Sequence, residues 1–135
     1  MDARGARPLL DFFLRCVRFA VANVVADRIR EHSTLGIFTI GGGVPRNWAQ
    51  QVAPYLEIAS ARLGESEPIR RYKYAVRICP EPEHWGGLSG CSYTEGVSWG
   101  KFVPESEGGR FAEVFADATI AWPLIVRSVI ERTRG

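Results

Sequence analysis

A lysine ends an aromatic, glycine-rich motif, E-G-V-S-W-G-K, at residues 95–101. Only two of the 17 basic side chains are lysines, so the chain otherwise takes its positive charge from arginine. A lysine amine attacks a carbonyl or imine carbon only in its neutral form, which burial or an apolar neighbourhood such as Trp99 and Phe102 favours. Lys101 is therefore a candidate covalent nucleophile. The position also fits a surface lysine at the end of a loop.

A carboxylate and two tryptophans lie near this lysine in the sequence. Glu95 precedes Lys101 by six residues. On a helix fewer than two turns would separate them, so the carboxylate could bind a cationic amine or accept its proton. Glu95 also fits an ordinary helix start with Thr94 as the cap. Trp85 and Trp99 could wall an apolar pocket or stack on a cation, and both equally fit the protein core.

Three further features carry weaker chemical signals. His84 is a residue type that acts as a general base near neutral pH, but His32 is the only other histidine, so the sequence offers no metal cluster. The glycines at 41–43 resemble half of a dinucleotide-binding fingerprint, with Arg46 in place of its third glycine. Asp117 follows a predicted strand, where it would either hydrogen-bond a ribose or cap the next helix.

The composition fits one globular domain over residues 1–135, with 46% hydrophobic and 24% charged residues. The net charge of +2 comes from scattered side chains, without the basic cluster typical of nucleic-acid or membrane binding. The first apolar run is interrupted by charges, so we expect neither a secretory signal nor a membrane span. Cys16, Cys79 and Cys91 lack zinc-site or disulfide spacing and favour a reducing, cytoplasmic setting as small buried side chains.

Periodicity predicts an open α/β fold with a mostly parallel sheet. We expect a long apolar helix at 8–32, a strand at 36–40 leading into the glycine turn, and a helix from Pro45 to residue 63 that Pro54 kinks or restarts. Strands are predicted at 72–78 and 110–117, and a final helix at 119–133. The connection at 79–101 is too long for an ordinary loop. Because it and the glycine turn both follow strands, we expect them to meet at one site.

Four stretches in this order resemble the C-terminal portion of the deoxyhypusine synthase family: GIFTIGGGVPRNW, YKYAVRI, GGLSGCSYTEGVSWGKF and FADATIAWPLIV. The resemblance extends from about Pro8 to Ile130, and E-x-V-S-W-G-K is its most specific element. It implies a Rossmann-like α/β fold, a mostly parallel sheet flanked by helices, of which this chain is the C-terminal part. It also implies a tetramer of tight dimers with active sites at the dimer interfaces.

The resemblance further implies a chemistry. Members of the family oxidise spermidine with NAD, and a lysine carries the resulting aminobutyl group as an imine before an acceptor amine receives it. Lys101 matches that lysine. Glu95 matches a pocket residue that binds an ammonium group of the polyamine, and Trp99 matches one that packs on its methylene chain. The remaining matched positions are Asn47, Ser89 and Gly90 toward the polyamine, and Pro80, Glu81, Asp117 and Ala118 toward NAD.

Two residues depart from the pattern of the hypusine-forming enzymes. Asn47 stands where they carry a histidine, and Leu88 stands where they carry an aspartate that holds a substrate amine. A buried ammonium that loses its carboxylate partner costs on the order of several kcal/mol, so we expect a different donor or acceptor. This pattern is similar to the bacterial deoxyhypusine synthase-like branch, some of whose members use a free diamine such as putrescine as acceptor.

Length is the larger departure. The family's enzymes are much longer, and their N-terminal part supplies the first nucleotide-binding strand and turn together with acidic residues for the polyamine. We therefore expect catalysis to require a homo- or hetero-oligomer with a chain that supplies this part. Two other hypotheses stay open. One is a non-catalytic protein that binds a full-length homologue through an exposed helix, and the other is a module that binds a nucleotide or polyamine without chemistry.

Overall fold

Three parallel strands form one sheet in the computed structural model, which describes residues 24–64 and 68–134. The strand order is β1-β2-β3, and both neighbouring pairs are parallel. The predicted α/β class with a parallel sheet flanked by helices is therefore confirmed. The strands are β1 (Leu35–Ile40), β2 (Tyr72–Ile78) and β3 (Arg110–Val114), and the helices are α1 (24–31), α2 (Val44–Leu63), α3 (Tyr93–Ser98) and α4 (Ala118–Arg134).

Local chemistry explains where α2 begins and ends. Gly43 precedes the helix with a φ of 78°, a conformation open mainly to glycine, and Pro45 lies in the first turn, where no backbone N–H is needed. The helix ends at Gly64, which is left-handed and donates its N–H to the carbonyl of Ser60. The helix continues through Pro54, so the predicted restart at this proline is wrong.

The other boundaries follow the prediction with small shifts. β2 has the predicted ends, whereas β3 stops at Val114 rather than continuing to residue 117, because Asp117 serves the start of α4. Of the helix predicted at 8–32, residues 24–31 are helical, and residues 8–23, with Cys16, lie outside the described part of the chain. None of the helices in the described ranges combines the length and the hydrophobicity that crossing a bilayer requires.

The two faces of the sheet are covered unequally. Leu35 and Ile37 of β1 pack, together with Ala75 of β2, into a core formed with α1, α2 and the aromatic residues around Phe102. The alternate residues of β1, among them Phe38 and Ile40, point to the opposite face and are exposed. On that side α4 makes contact, with the rings of Phe38 and Trp122 at 5.3 Å. Parallel sheets are normally covered on both faces, whereas this second face is covered only in part by the described residues.

The long connection after β2 has structure of its own. Residues 83–85 form a short 3-10 turn, and α3 follows. The chain then turns at Gly100, which has a φ of 72°, and returns to the start of β2. There the carbonyl of Lys101 accepts a hydrogen bond from the N–H of Tyr72 at 3.0 Å, and the N–H of Val103 donates to the carbonyl of Tyr72 at 3.0 Å. These two hydrogen bonds fix the backbone of Lys101 to the sheet.

Phe102 explains the glycine inside α3. Its ring is almost fully buried and packs edge-on against Tyr93 and Phe111. A Cβ at Gly96 would lie 2.6 Å from two carbons of this ring, closer than van der Waals contact allows. The N–H of Lys101 donates to the carbonyl of Gly96 at 3.0 Å. Gly96 therefore lets the helix lie directly on Phe102. This contact, with the hydrogen bond to Gly96, fixes the position of the Lys101 backbone relative to α3.

Gly96→Ala should destabilise the chain by about 1–3 kcal/mol, because the buried ring of Phe102 has no room to move. This cost outweighs the gain of about 1 kcal/mol that alanine normally brings to a helix. Urea unfolding followed by circular dichroism measures the change. Gly36→Ala is the control, since its Cβ would meet Tyr74 at an ordinary 3.6 Å. Adding Phe102→Leu to Gly96→Ala should recover part of the loss, and a Gly96→Ala chain more stable than wild type would contradict the proposed clash.

Candidate active site around Lys101

Lys101 is buried, with 4% of its surface exposed. Its Nζ donates a hydrogen bond to Oδ1 of Asn47 at 2.6 Å. Among residues 24–64 and 68–134, no carboxylate lies within ion-pairing distance of this amine. The alternative of a surface lysine is therefore wrong. Of the two aromatic neighbours expected from the sequence, Phe102 is buried beside it, whereas Trp99 is 61% exposed.

Asn47 owes its position to the glycine turn. Its N–H donates to the carbonyl of Gly43 at 3.1 Å, which closes the first turn of α2. From there the side chain reaches the lysine, 54 residues further along the chain. An amide oxygen accepts a hydrogen bond but takes no proton at ordinary pH, so Asn47 can hold and orient the amine without acting as its base.

Glu95 in α3 and Trp99, the residue that caps its end, lie on the same side of this helix. They are four residues apart, the N–H of Trp99 donates to the carbonyl of Glu95 at 3.1 Å, and both side chains are exposed. Glu95 lies in the first turn, as the helix-start interpretation expected, but Ser92 rather than Thr94 is the cap: its Oγ accepts the N–H of Glu95 at 3.1 Å. The surface formed by Glu95 and Trp99 thus presents a carboxylate beside an apolar ring.

Both Glu95 and Lys101 influence the pKa of the Cys91 thiol. Burial raises the pKa of the Cys91 thiol, and a hydrogen bond with the Glu95 side chain and the charge of that carboxylate raise it further. The charges of Lys101 and Arg46 act in the opposite direction on the same pKa. A single thiol therefore lies within electrostatic reach of the candidate nucleophile, the candidate carboxylate and the arginine that follows the glycine turn.

The connection and the glycine turn touch, as the sequence predicted. A Cβ at Gly42 would lie 2.9 Å from both Cα and Cβ of Ser89. The glycine at this position is therefore required by the approach of the protein's own loop. Gly90, the neighbour of Ser89, is equally enclosed, since its Cβ would meet backbone atoms of Pro82 and Glu83 at 3.1–3.3 Å.

Two buried arginines hold this loop, a role that was not predicted from the sequence. Nη1 of Arg46 donates to the carbonyl of Ser89 at 3.1 Å and its Nη2 donates to that of Cys91 at 2.8 Å. Nη1 of Arg77 donates to the same two carbonyls, at 2.6 Å and 3.1 Å. Burial lowers the pKa of Arg46, and the charge of Arg77 lowers it further. We call this set, Arg46 and Arg77 with the carbonyls of Ser89 and Cys91, the arginine clamp.

The residues matched to NAD lie at the carboxyl edge of the sheet. Pro80 and Glu81 follow β2, Asp117 and Ala118 follow β3, and the N–H of Cys79 links the two strand ends by donating to the carbonyl of Val114 at 3.0 Å. Oδ1 of Asp117 accepts hydrogen bonds from the N–H and the hydroxyl of Thr119, at 2.8 Å and 2.6 Å, which lower the pKa of Asp117. The capping interpretation of Asp117 is therefore confirmed.

The described residues fit only part of a dinucleotide. An exposed carboxylate at a strand end is the group type that binds ribose hydroxyls. However, the space at Gly42 that could admit a diphosphate is taken by Ser89. NAD could thus contact Pro80, Glu81, Asp117 and Ala118, while the diphosphate would need contacts from elsewhere.

Three other residues considered from the sequence, His84, Trp85 and Leu88, are exposed on the long connection. Trp85 is 72% exposed and His84 lies edge-on to it, in the short 3-10 turn. The core interpretation is therefore wrong for Trp85, as it is for Trp99. Leu88 is also exposed and offers no charge to an amine. Within the described ranges no group of histidine, cysteine and acidic side chains could bind a metal ion.

Comparison with known proteins places these residues in a family context. The family model for deoxyhypusine synthase matches residues 20–129. The chain is 41% identical over 111 residues to a probable deoxyhypusine synthase 2 of Methanosarcina mazei, a match that covers 82% of this chain and 30% of that protein. It is 42% identical over 95 residues to a deoxyhypusine synthase-like protein of Chlorobaculum parvum, covering 70% of this chain and 25% of that protein.

A third relative extends the range of overlap. A probable deoxyhypusine synthase 2 of Archaeoglobus fulgidus is 36% identical over 121 residues, covering 82% of this chain and 38% of that protein. The chain therefore spans between 25% and 38% of the length of these three relatives. The residues around Lys101 fall within the matched range.

Cys91 provides a test of the convergence that needs no enzymatic assay. Glu95→Gln should lower the pKa of the thiol and speed its alkylation at pH near 7.5 by roughly three- to tenfold, whereas Lys101→Met should slow it. Mass spectrometry of peptides reports Cys91 separately, with buried Cys79 as an internal reference. Glu105→Gln, which removes an exposed carboxylate elsewhere, is the matched control. If Glu95→Gln and Lys101→Met change the alkylation rate of Cys91 in the same direction, the two side chains do not act on this thiol with opposite charges, and the prediction is wrong.

Proposed function

This chain belongs to the deoxyhypusine synthase family, and from that membership we propose that it carries the lysine-bearing part of an NAD-dependent polyamine aminobutyltransferase. Lys101 takes an aminobutyl group from spermidine or a related polyamine as an imine and passes it to an acceptor amine. The proposal covers the residues of this chain. The remaining contacts come from polypeptide that corresponds to the rest of the relatives' length.

The state of Lys101 is the observation that carries the proposal. A lysine at the surface is solvated and flexible, whereas Lys101 is buried and fixed at both ends: its backbone bonds to Tyr72 and its Nζ to Asn47. A fixed amine away from bulk water is suited to covalent catalysis at an electrophilic carbon. The partner of the amine is neutral, so the nitrogen is held without being locked into an ion pair.

The chemistry assigns a step to each group. When bound, NAD would supply the redox chemistry: the aminobutyl carbon bonded to the secondary nitrogen of the polyamine would lose a hydride to it before transfer, and the imine formed with the acceptor would regain that hydride afterwards. Nζ of Lys101 bonds to that carbon while the diaminopropane portion leaves with the secondary nitrogen. The acceptor amine then bonds to the same carbon and releases Nζ. Glu95 binds the terminal ammonium of the aminobutyl group, and Trp99 covers its methylene chain.

The acceptor depends on the residues near the clamp. Leu88 is exposed and apolar at the position where a carboxylate would hold a second ammonium, and Asn47 is neutral. Both positions depart from the hypusine-forming pattern in the way that the bacterial deoxyhypusine synthase-like branch does, some of whose members use a free diamine. These two positions support a free diamine such as putrescine as the acceptor, with homospermidine as the product.

The test measures the turnover rate of variants in which one of the two lysines of the chain is replaced. The chain is co-expressed with the part of a relative that it does not match, supplied with spermidine, NAD and putrescine, and assayed for diaminopropane release. Lys101→Arg should reduce the rate by roughly a thousandfold or more. Lys73→Arg, at the half-buried lysine near the ring of Tyr74, is the matched control and should stay near wild type. Equal rates for the two variants would refute a covalent role for Lys101.

A non-catalytic role is the second candidate, favoured by the partly covered second face of the sheet. Phe38, Ile40 and Tyr74 are exposed there, and Ile120 and Leu124 of α4 add further apolar surface. Such a surface suits binding to a full-length homologue whose activity it modulates. Lys101→Ala should then leave the modulation intact, whereas the catalytic proposal expects the variant complex to lose turnover.

A further inference from the structure

Arg77 is a buried charge that the proposed chemistry does not use. It lies in the middle strand, has 1% of its surface exposed, and is the largest of the fully buried side chains in the described ranges. Burying a guanidinium is unfavourable unless its donors find good partners. Apart from Lys73, the other residues of this strand are apolar or aromatic. A buried charge of this cost calls for a role that an apolar residue could not fill.

The partners of Arg77 connect two strands and the loop. Its Nη2 lies 2.5 Å from Oε1 of Glu113 on β3, while its Nη1 bonds to the carbonyls of Ser89 and Cys91. Each of these carbonyls also accepts a bond from Arg46. Ser89 therefore lies in a position fixed relative to both β2 and α2.

Resting on the proposed function, we infer that Arg77 is a positioning residue for the polyamine. Arg46 and Asn47 are consecutive residues of α2, so one turn of helix holds both the loop and the amine of Lys101. Arg77, on β2, bonds to the same two loop carbonyls as Arg46 and so holds the loop from the side of the sheet. It thereby sets the distance between the pocket residues Ser89, Gly90 and Glu95 and the nitrogen that bonds to the substrate.

Arg77→Lys tests the inference, because an ammonium keeps the charge but lacks the planar fork that spans Glu113 and two carbonyls. In the completed assembly we expect the KM for spermidine to rise about tenfold, with kcat changed by less than about threefold, since the bond between Lys101 and Asn47 remains. Arg110→Lys is the matched control, at an exposed arginine on the neighbouring strand.

Alkylation of Cys91 gives a readout that does not depend on turnover. In Arg77→Lys the carbonyl of Cys91 loses one of its two arginine hydrogen bonds. The looser loop should speed alkylation of the Cys91 thiol about tenfold, while Cys79 stays protected. If Arg77→Lys does not reach the native circular dichroism spectrum, Arg46→Lys, which weakens the same clamp from the helix, is measured instead.

The outcomes separate the two proposals. A raised KM together with faster alkylation supports positioning. An unchanged KM, a fall in kcat alone, or unchanged alkylation in a folded variant overturns it. If the wild-type assembly releases no diaminopropane, the proposed function fails, and the positioning of the polyamine fails with it. The alkylation rate still shows in that case whether Arg77 holds the loop.

Discussion

The arginine clamp is the interaction on which the site depends. The stretch around Ser89 has few apolar side chains that could hold it against the sheet, so packing alone would leave its path undetermined. Two guanidiniums instead bind its backbone carbonyls with four hydrogen bonds, and Glu113 balances one of the two charges. Removing Arg77 would take one charged hydrogen bond, worth about 1.5–3 kcal/mol, from each carbonyl and would leave Glu113 without its ion pair, while Arg46 would still bond both carbonyls. The loop is therefore fixed by directional bonds.

A second constraint places the lysine. Gly96 allows α3 to lie on the buried ring of Phe102, and the backbone after Gly100 then pairs with the start of β2. The backbone of Lys101 accordingly lies at the amino end of β2, and its side chain extends from there to Asn47 in the first turn of α2. The two constraints meet there, since Arg46 holds the loop and Asn47 holds the amine. Much of the site geometry follows from two neighbouring residues of one helix.

The sequence allowed the strands and the long helices to be predicted because their signals are local. YKYAVRI alternates along its whole length, and a proline after three glycines marks the start of α2. The short helix α3 has only six residues, too few for a periodic pattern, so its segment could only be predicted as a long connection. The position of Ser92 rather than Thr94 as its cap follows from where that helix begins, which local sequence leaves open.

The roles of individual side chains were less predictable, because they depend on contacts between distant segments. Composition favoured a surface position for Lys101, and its burial results from the return of the chain to Tyr72. Arg77 read as one more residue of an alternating strand, although a charged residue on the face shared with Ala75 was a usable sign of a buried partner. Trp85 and Trp99 have the residue type of a core, yet both are exposed in the described part of the chain. Asp117 was read correctly as a cap, since that role needs only its immediate neighbours.

Trapping of the imine tests the central role of Lys101 most directly. The assembly containing this chain is incubated with spermidine and NAD, treated with borohydride to reduce any imine to a stable amine, and digested for mass spectrometry. The covalent role predicts an aminobutyl group on the peptide that contains Lys101, dependent on NAD and absent from the peptide that contains Lys73. An assembly that turns over spermidine without any label on Lys101 would contradict it.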